Sequence, residues 1–210
     1  MSVSLGKGFT LIELLVVIAI LAVLATVVVI VLNPAELLKQ SRDSSRISDI
    51  AAVNSAVALY IADVASPDLD ASNPNSFSCG AGSAPSTPSC TLSAATTPLG
   101  TGGSSRTCAT ITTTASSSLV SGVGWVPIVF TNISSGSPLP KLPIDPINSG
   151  LFFYAYSCDS TNLTYELTAR MESTKYATTS ASEIVSQAKD GGNANFLYEV
   201  GNDPGLDLLN

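Results

Sequence analysis

From Phe9 to Leu32 the chain runs for 24 residues in which only Thr10, Glu13 and Thr26 are polar. As a helix at about 1.5 Å per residue this stretch is about 36 Å long, enough to cross a bilayer core of about 30 Å. A secretory signal has an apolar region of only about 7–15 residues, followed by a small-x-small cleavage site. This run is longer, and no A-x-A follows Leu32 before Pro34. The pattern predicts a retained membrane anchor.

Glu13 is out of place in such a segment. A charge at the centre of a membrane helix costs roughly 2.5–3.5 kcal/mol on insertion scales, so the acid calls for a partner. The span holds no basic residue, and the next charged residue is Glu36. A cation becomes available if the chain is cut after Gly8, because the Phe9 nitrogen is then an ammonium at the membrane edge. Glu13 of one copy could neutralise the Phe9 ammonium of another.

Lys7-Gly8-Phe9-Thr10-Leu11-Ile12-Glu13-Leu14-Leu15, followed by aliphatics, resembles the class III signal of type IV pilins and type II secretion pseudopilins. The resemblance is close over residues 6–62 and weaker afterwards. It implies a prepilin peptidase that cuts after Gly8 on the cytoplasmic side and methylates Phe9. It implies that Glu13 sets the register of subunits in a filament. It also implies an α+β fold, in which a long N-terminal helix, transmembrane first and amphipathic later, packs on a small antiparallel sheet. Implied partners are further copies of the chain, minor pilins, the prepilin peptidase, an inner-membrane assembly platform, and lipid before assembly. The expected place is the membrane, single-pass with the N-terminus cytoplasmic, and then a periplasmic or extracellular filament serving a pilus, protein secretion or DNA uptake. The competing reading is a monomeric, membrane-anchored extracellular binding module. Many pilins carry a proline inside the apolar helix. Here Pro34 follows the run, which predicts a kink or short break at Asn33-Pro34.

The remaining composition fits a surface protein. Charged residues make up 12%, about half of the usual ~25%. The net charge of −7 argues against a broad nucleic-acid grip, which needs clustered Lys and Arg. The chain has no histidine, which excludes Ser-His and Cys-His nucleophiles and histidine metal ligands. With no Walker A, G-x-G-x-x-G or G-x-S-x-G motif either, no catalytic residue, enzyme activity or cofactor is assigned.

Orientation draws conflicting signals. Lys39, Arg42 and Arg46 follow the span while Lys7 precedes it, and counting them would put the C-terminal side inside. Yet that side is rich in Ser and Thr and holds all four cysteines, and the signal motif agrees with the composition. Cys79, Cys90, Cys108 and Cys158 form no C-x-x-C pair, so zinc is disfavoured and two disulfides are expected on export. In a reducing compartment the same residues would be buried thiols. More than one connectivity is open. Cys79 with Cys90 would close a local loop, and Cys108 with Cys158 would then tie it to the sheet.

The expected organisation is a leader at 1–8, a transmembrane and filament-core helix at 9–33, and an amphipathic continuation at 34–64. A Ser/Thr/Gly-rich, disulfide-stapled loop region at 65–124 and a sheet head at 125–210 follow. In the continuation Ile47, Ile50, Ala51, Val57, Ala58 and Ile61, widened by Val53, Ala56 and Tyr60, recur at helical spacing. Lys39, Arg42 and Arg46 read as a solvated face near lipid headgroups, or as contacts to acids of neighbouring subunits. WVPIVF (125–130) reads as a short edge strand. LFFYAYSC (151–158) and LTYELTARM (163–171) read as a hairpin turning at 159–162, and NFLYEVG (195–201) as a third strand. The stretch 174–188 is ambiguous between helix and irregular chain. LPxDP at 142–146 resembles an element of pseudopilin heads. Some pseudopilins bind calcium near their C-terminal strands, and Asp190, Asn193 and Asn195, or Asp203 and Asp207, offer oxygens. No EF-hand spacing is present, so no metal is assigned. The sequons at Asn132 and Asn162 carry no assignment.

Overall fold

Two helices follow one another with only Asn33 between them: α1, Leu11–Leu32, and α2, Pro34–Asp63. The computed structural model describes residues 8–70, 77–80, 87–92, 96–98, 105–108, 117–177, 190–192, 194 and 196–208. The break falls where a proline forbids helical geometry to the residue before it. Asn33 takes a left-handed conformation, φ 40° and ψ 72°, which asparagine tolerates at a helix C-terminus. Pro34 opens α2 at the position where its missing N–H removes no helical bond. The Asn33 carbonyl accepts from the Glu36 and Leu37 amides at 3.0 and 3.3 Å.

The chain divides into two compact units, one ending at Leu38 and the other spanning Lys39–Asn210. In the first, α1 buries none of its side chains. Its internal hydroxyl is satisfied locally, since Thr26 Oγ1 donates to the Ala22 carbonyl at 2.5 Å.

In the second unit α2 presents a continuous stripe, with Asp43, Arg46, Ile50, Val53, Ala56, Val57 and Tyr60 all buried. Each fully buried aliphatic or aromatic side chain contributes about 1.5–3 kcal/mol. Ala51 and Ala58, which the periodicity places on that stripe, are exposed. The stripe packs on an antiparallel sheet of β1 (Ser89–Cys90), β4 (Tyr154–Asp159), β5 (Thr164–Ala169) and β6 (Tyr198–Gly201), ordered β1-β4-β5-β6. A separate two-stranded sheet joins β2 (Thr96–Pro98) to β3 (Ser105–Thr107). The register Tyr154↔Ala169, Tyr156↔Leu167, Cys158↔Tyr165 sets these six side chains on the helix-facing side, where they join the main core. Each core tyrosine finds a polar partner, as buried phenols require. Tyr154 donates to Asp49 at 2.8 Å, Tyr156 to the Leu69 carbonyl at 3.1 Å and Tyr165 to Asn54 Oδ1 at 2.7 Å.

The other face of the sheet is covered as well. Cys90, Cys108, Phe153, Ala155, Ala194 and Leu197 form a second cluster there, so every residue of β4 is buried. The segment expected to be only a loop, 65–124, supplies part of that cover and an edge strand of the sheet.

The hairpin forms as expected. Asp159 shapes its turn by accepting from the Thr161 and Asn162 amides at 2.7 and 3.2 Å. The third strand forms as β6. WVPIVF does not form a strand: Val129 makes one isolated bridge to Ser121, and Phe130–Asn132 is a 3-10 turn. Pro127 lacks the N–H a ladder needs. Trp125, Val126, Ile128 and Phe130 are all fully buried, so the stretch plugs the core instead of alternating between two faces. Most of 174–188 lies outside the described residues.

Candidate functional site

Helix α1 begins later than the motif that precedes it. Gly8 and Phe9 lie outside the helix. A Cβ on Gly8 would meet nothing within 4 Å, and Phe9 is 87% exposed. The backbone on either side of the Gly8–Phe9 bond is therefore open to an enzyme. Thr10 is the N-cap, extended at φ −82° and ψ 151°.

Thr10 and Glu13 close a reciprocal capping box. The Glu13 amide donates to Thr10 Oγ1 at 3.3 Å, and the Thr10 amide donates to Glu13 Oε2 at 2.8 Å. The Thr10 hydroxyl donates to the same Oε2 at 2.8 Å. Within its own chain, then, Glu13 has an assignment that the reading of it as an unpartnered acid missed. The signal was present as T-x-x-E directly before an apolar run. The box holds the carboxylate back toward residues 9 and 10, at the end of the helix where a new amine would appear.

Beyond the cap, α1 offers 22 residues, about 33 Å of helix, with its large aliphatic side chains exposed along its length. An apolar helix that buries nothing in its own chain needs lipid or other protein around it.

The prokaryotic N-terminal methylation motif matches residues 6–29, across the Gly8–Phe9 bond, the capping box and most of α1. The chain carries the class III signal of type IV pilins and pseudopilins. Proteins with this signal are structural subunits, not enzymes. The signal implies processing by a prepilin peptidase and assembly into pilus-type filaments, and with the apolar helix it fits membrane anchoring. No curated protein and no solved structure matches the chain.

In the pilin-like head the basic cluster is not the solvated face the sequence suggests. Arg46 is fully buried and Arg42 about one-third exposed. Arg46 donates to both oxygens of Asp145 and, at 2.7 Å, to Asp43 Oδ1. Its guanidinium lies 5.0 Å over the Phe152 ring. Asp43 also accepts from the Glu172 and Ser173 amides, and Arg42 grips Glu172 at 2.6 and 2.8 Å. Burial would lower the affinity of Arg46 for its proton, but the hydrogen bonds and charges of Asp145 and Asp43 outweigh it and raise that affinity. The acids that meet these arginines come from the same chain. Arg46 sits one turn and Asp43 two turns before Ile50 on the same stripe, which is why they are buried. The LPxDP element owes its Asp145 to this contact, and its proline carbonyl, Pro143 O, accepts from Trp125 Nε1 at 2.8 Å.

Both disulfides pair differently from the reading by sequence proximity. Cys79 bonds Cys158 and Cys90 bonds Cys108. Strand β4 decides the first, since the Gly80 amide donates to the Cys158 carbonyl at 2.8 Å and holds Cys79 beside it. Cys90 pairs with Ala155 in the ladder and belongs to the opposite face of the sheet.

The oxygens considered for calcium are scattered or already engaged. Asp190 accepts from the Gly192 and Glu199 amides, and Asp203 from the Asp207 amide. Asn193 and Asn195 lie outside the described residues. Among the described residues no group of three or more His, Cys, Asp or Glu is placed to hold a metal.

Proposed function

We propose that this chain is a structural subunit of a type IV pilus-like or pseudopilus filament. A prepilin peptidase removes residues 1–8 and methylates Phe9. The anchor keeps the subunit in the membrane with its N-terminus cytoplasmic, and an assembly platform moves it into the filament. There Glu13 of one copy pairs with the Phe9 ammonium of its neighbour, α1 forms the filament core and the disulfide-stapled head faces outward. One observation carries this reading: the methylation motif spans an exposed bond ahead of a helix that buries none of its side chains.

The test is the N-terminus of the protein recovered from membranes and filaments of a host that supplies the peptidase. Mass spectrometry is expected to find chains beginning at N-methylated Phe9. A bulky residue in place of Gly8 is expected to leave the leader attached. Filaments built from chains that still begin at Met1 or Ser2 would overturn the reading.

A further inference from the structure

The second face of the head sheet carries buried acids. In the β5–β6 ladder Glu166 lies opposite Gly201 and Thr168 opposite Glu199, so Glu166 and Glu199 share one face a diagonal apart. Their exposures are 0% and 1%. Asp190, Gly192 and Ala194 close over Glu199. The Ala194 amide donates to Glu199 Oε2 at 2.8 Å, and the Glu199 amide donates to Asp190 Oδ2 at 2.8 Å. A Cβ on Gly192 would collide with the Glu199 carboxylate, so only glycine lets the turn come this close. Glu199 Oε1 and both carboxyl oxygens of Glu166 are buried.

The groups that face Glu199 can be named element by element among the described residues. Strand β5 brings Glu166, within hydrogen-bonding reach. Strand β4 brings Ala155 and Ser157 on this face, and the covering strap brings the Cys90–Cys108 disulfide. The turn brings Asp190. No salt bridge reaches Glu199 among the described residues. An ionised carboxylate with no cation beside it in such a place is costly. Protonating it removes that cost.

We propose that Glu199 is a proton-operated latch: while its carboxyl is protonated Gly192 and Ala194 lie closed on the sheet, and loss of that proton releases them from the second core. Burial, the largest cause, pushes the Glu199 carboxyl up to about 7. The Ala194 amide and the Glu166 hydrogen bond oppose the shift, and the Asp190 charge adds to it. A group that holds its proton more tightly in the closed state favours closure at low pH. That advantage is lost as pH rises from the ordinary carboxyl range through about 7.

Hydrogen exchange of the full chain in detergent micelles, corrected for intrinsic pH effects, tests this. Protection of the Gly192, Ala194 and Glu199 amides is expected to fall on the order of fifty-fold between pH 5 and pH 8, while β4 and β5 stay protected. Glu199→Gln is expected to hold the turn closed at both pH values. Carboxyl NMR of the unsubstituted chain gives a second reading, with a Glu199 midpoint near 7 expected. Uniform protection across the range, the same pH dependence in Glu199→Gln, or a Glu199 midpoint in the ordinary carboxyl range would each overturn the latch.

Discussion

Arg46 and Asp145, 99 residues apart in the chain, meet through two hydrogen bonds, Nε to Oδ2 at 2.6 Å and Nη2 to Oδ1 at 3.1 Å, with both side chains sealed from solvent. The pair ties the loop before β4 to the first buried turn of α2. Arg46→Met would leave Asp43 and Asp145 buried without their cation, and breaking a buried pair in this way costs about 3–5 kcal/mol. Denaturant unfolding of the full chain in micelles is expected to show a loss of this size. Arg46→Lys is expected to fall in between, since lysine keeps the charge and loses the planar fork. An unchanged unfolding midpoint for Arg46→Met would show that the two acids are relieved by some other route.

Acid should loosen the same region from a second point. The hydrogen bond from Arg42, first, and its charge hold the Glu172 carboxyl below the usual glutamate range, against a smaller opposing effect of burial. A carboxyl lowered on folding adds stability that is present above its unfolded value and is lost as pH falls through the folded one. Unfolding scans from pH 6 down to pH 2 are expected to show a shallower decline in Glu172→Gln than in the parent. Parallel declines would remove Glu172 from the acid response.

The disulfides differ in the length of chain they close. Cys79–Cys158 spans 79 residues and Cys90–Cys108 spans 18. By chain entropy the longer closure is worth about 4–5 kcal/mol and the shorter about 3 kcal/mol. Non-reducing peptide mapping of exported protein is expected to find these two pairs and no free thiol. Replacing both members of the long pair with serine should destabilise the head more than replacing the short pair. A Cys79–Cys90 peptide would contradict the arrangement directly.

Glu13 can be tested for two roles at once. Glu13→Val removes a charge from the span and should enter the membrane at least as well as the parent, with the leader still removed. Filament number by electron microscopy is expected to drop sharply, because the Phe9 ammonium would enter an apolar core unmatched. Glu13→Gln can still close the capping box with Thr10 and is expected to be intermediate. Normal filaments from Glu13→Val at normal subunit levels would assign the acid to capping alone.

What the sequence disclosed follows the strength of each physical signal. The apolar run and the aromatic alternation of 151–171 are long and periodic, and α1, β4 and β5 appear where those patterns lie. Strand β1 is two residues in a Ser-rich stretch, too short to have a period, so its place in the sheet comes only from pairing with β4. Arg46 was misread because a charged residue ordinarily marks water. Its spacing from Ile50 and Val53 pointed inward and Asp43 lies one turn away, but Asp145, which takes two of its hydrogen bonds, is far away in the chain. The disulfide pairing was illegible for a related reason: nearness in sequence says little about which face of a sheet a cysteine will join. At the N-terminus the capping box was legible in full, as a threonine and a glutamate three residues apart.

Among the described residues the hydrogen bonds that build the first turn of α1 begin at Thr10 or later, while the bond that the proposed peptidase cuts lies before Phe9. Precursor and product would therefore share the helix from Leu11 onward. What changes is the electrostatics of the tip. On cleavage the amide at Phe9 would become an ammonium one residue ahead of the positive pole of the helix dipole, a place that favours anions and repels cations. The cut would leave a folded subunit with a new cation at its tip, able to pair with a carboxylate of a neighbouring chain. Proteolysis would thus act as an arming step, made irreversible by the loss of the leader.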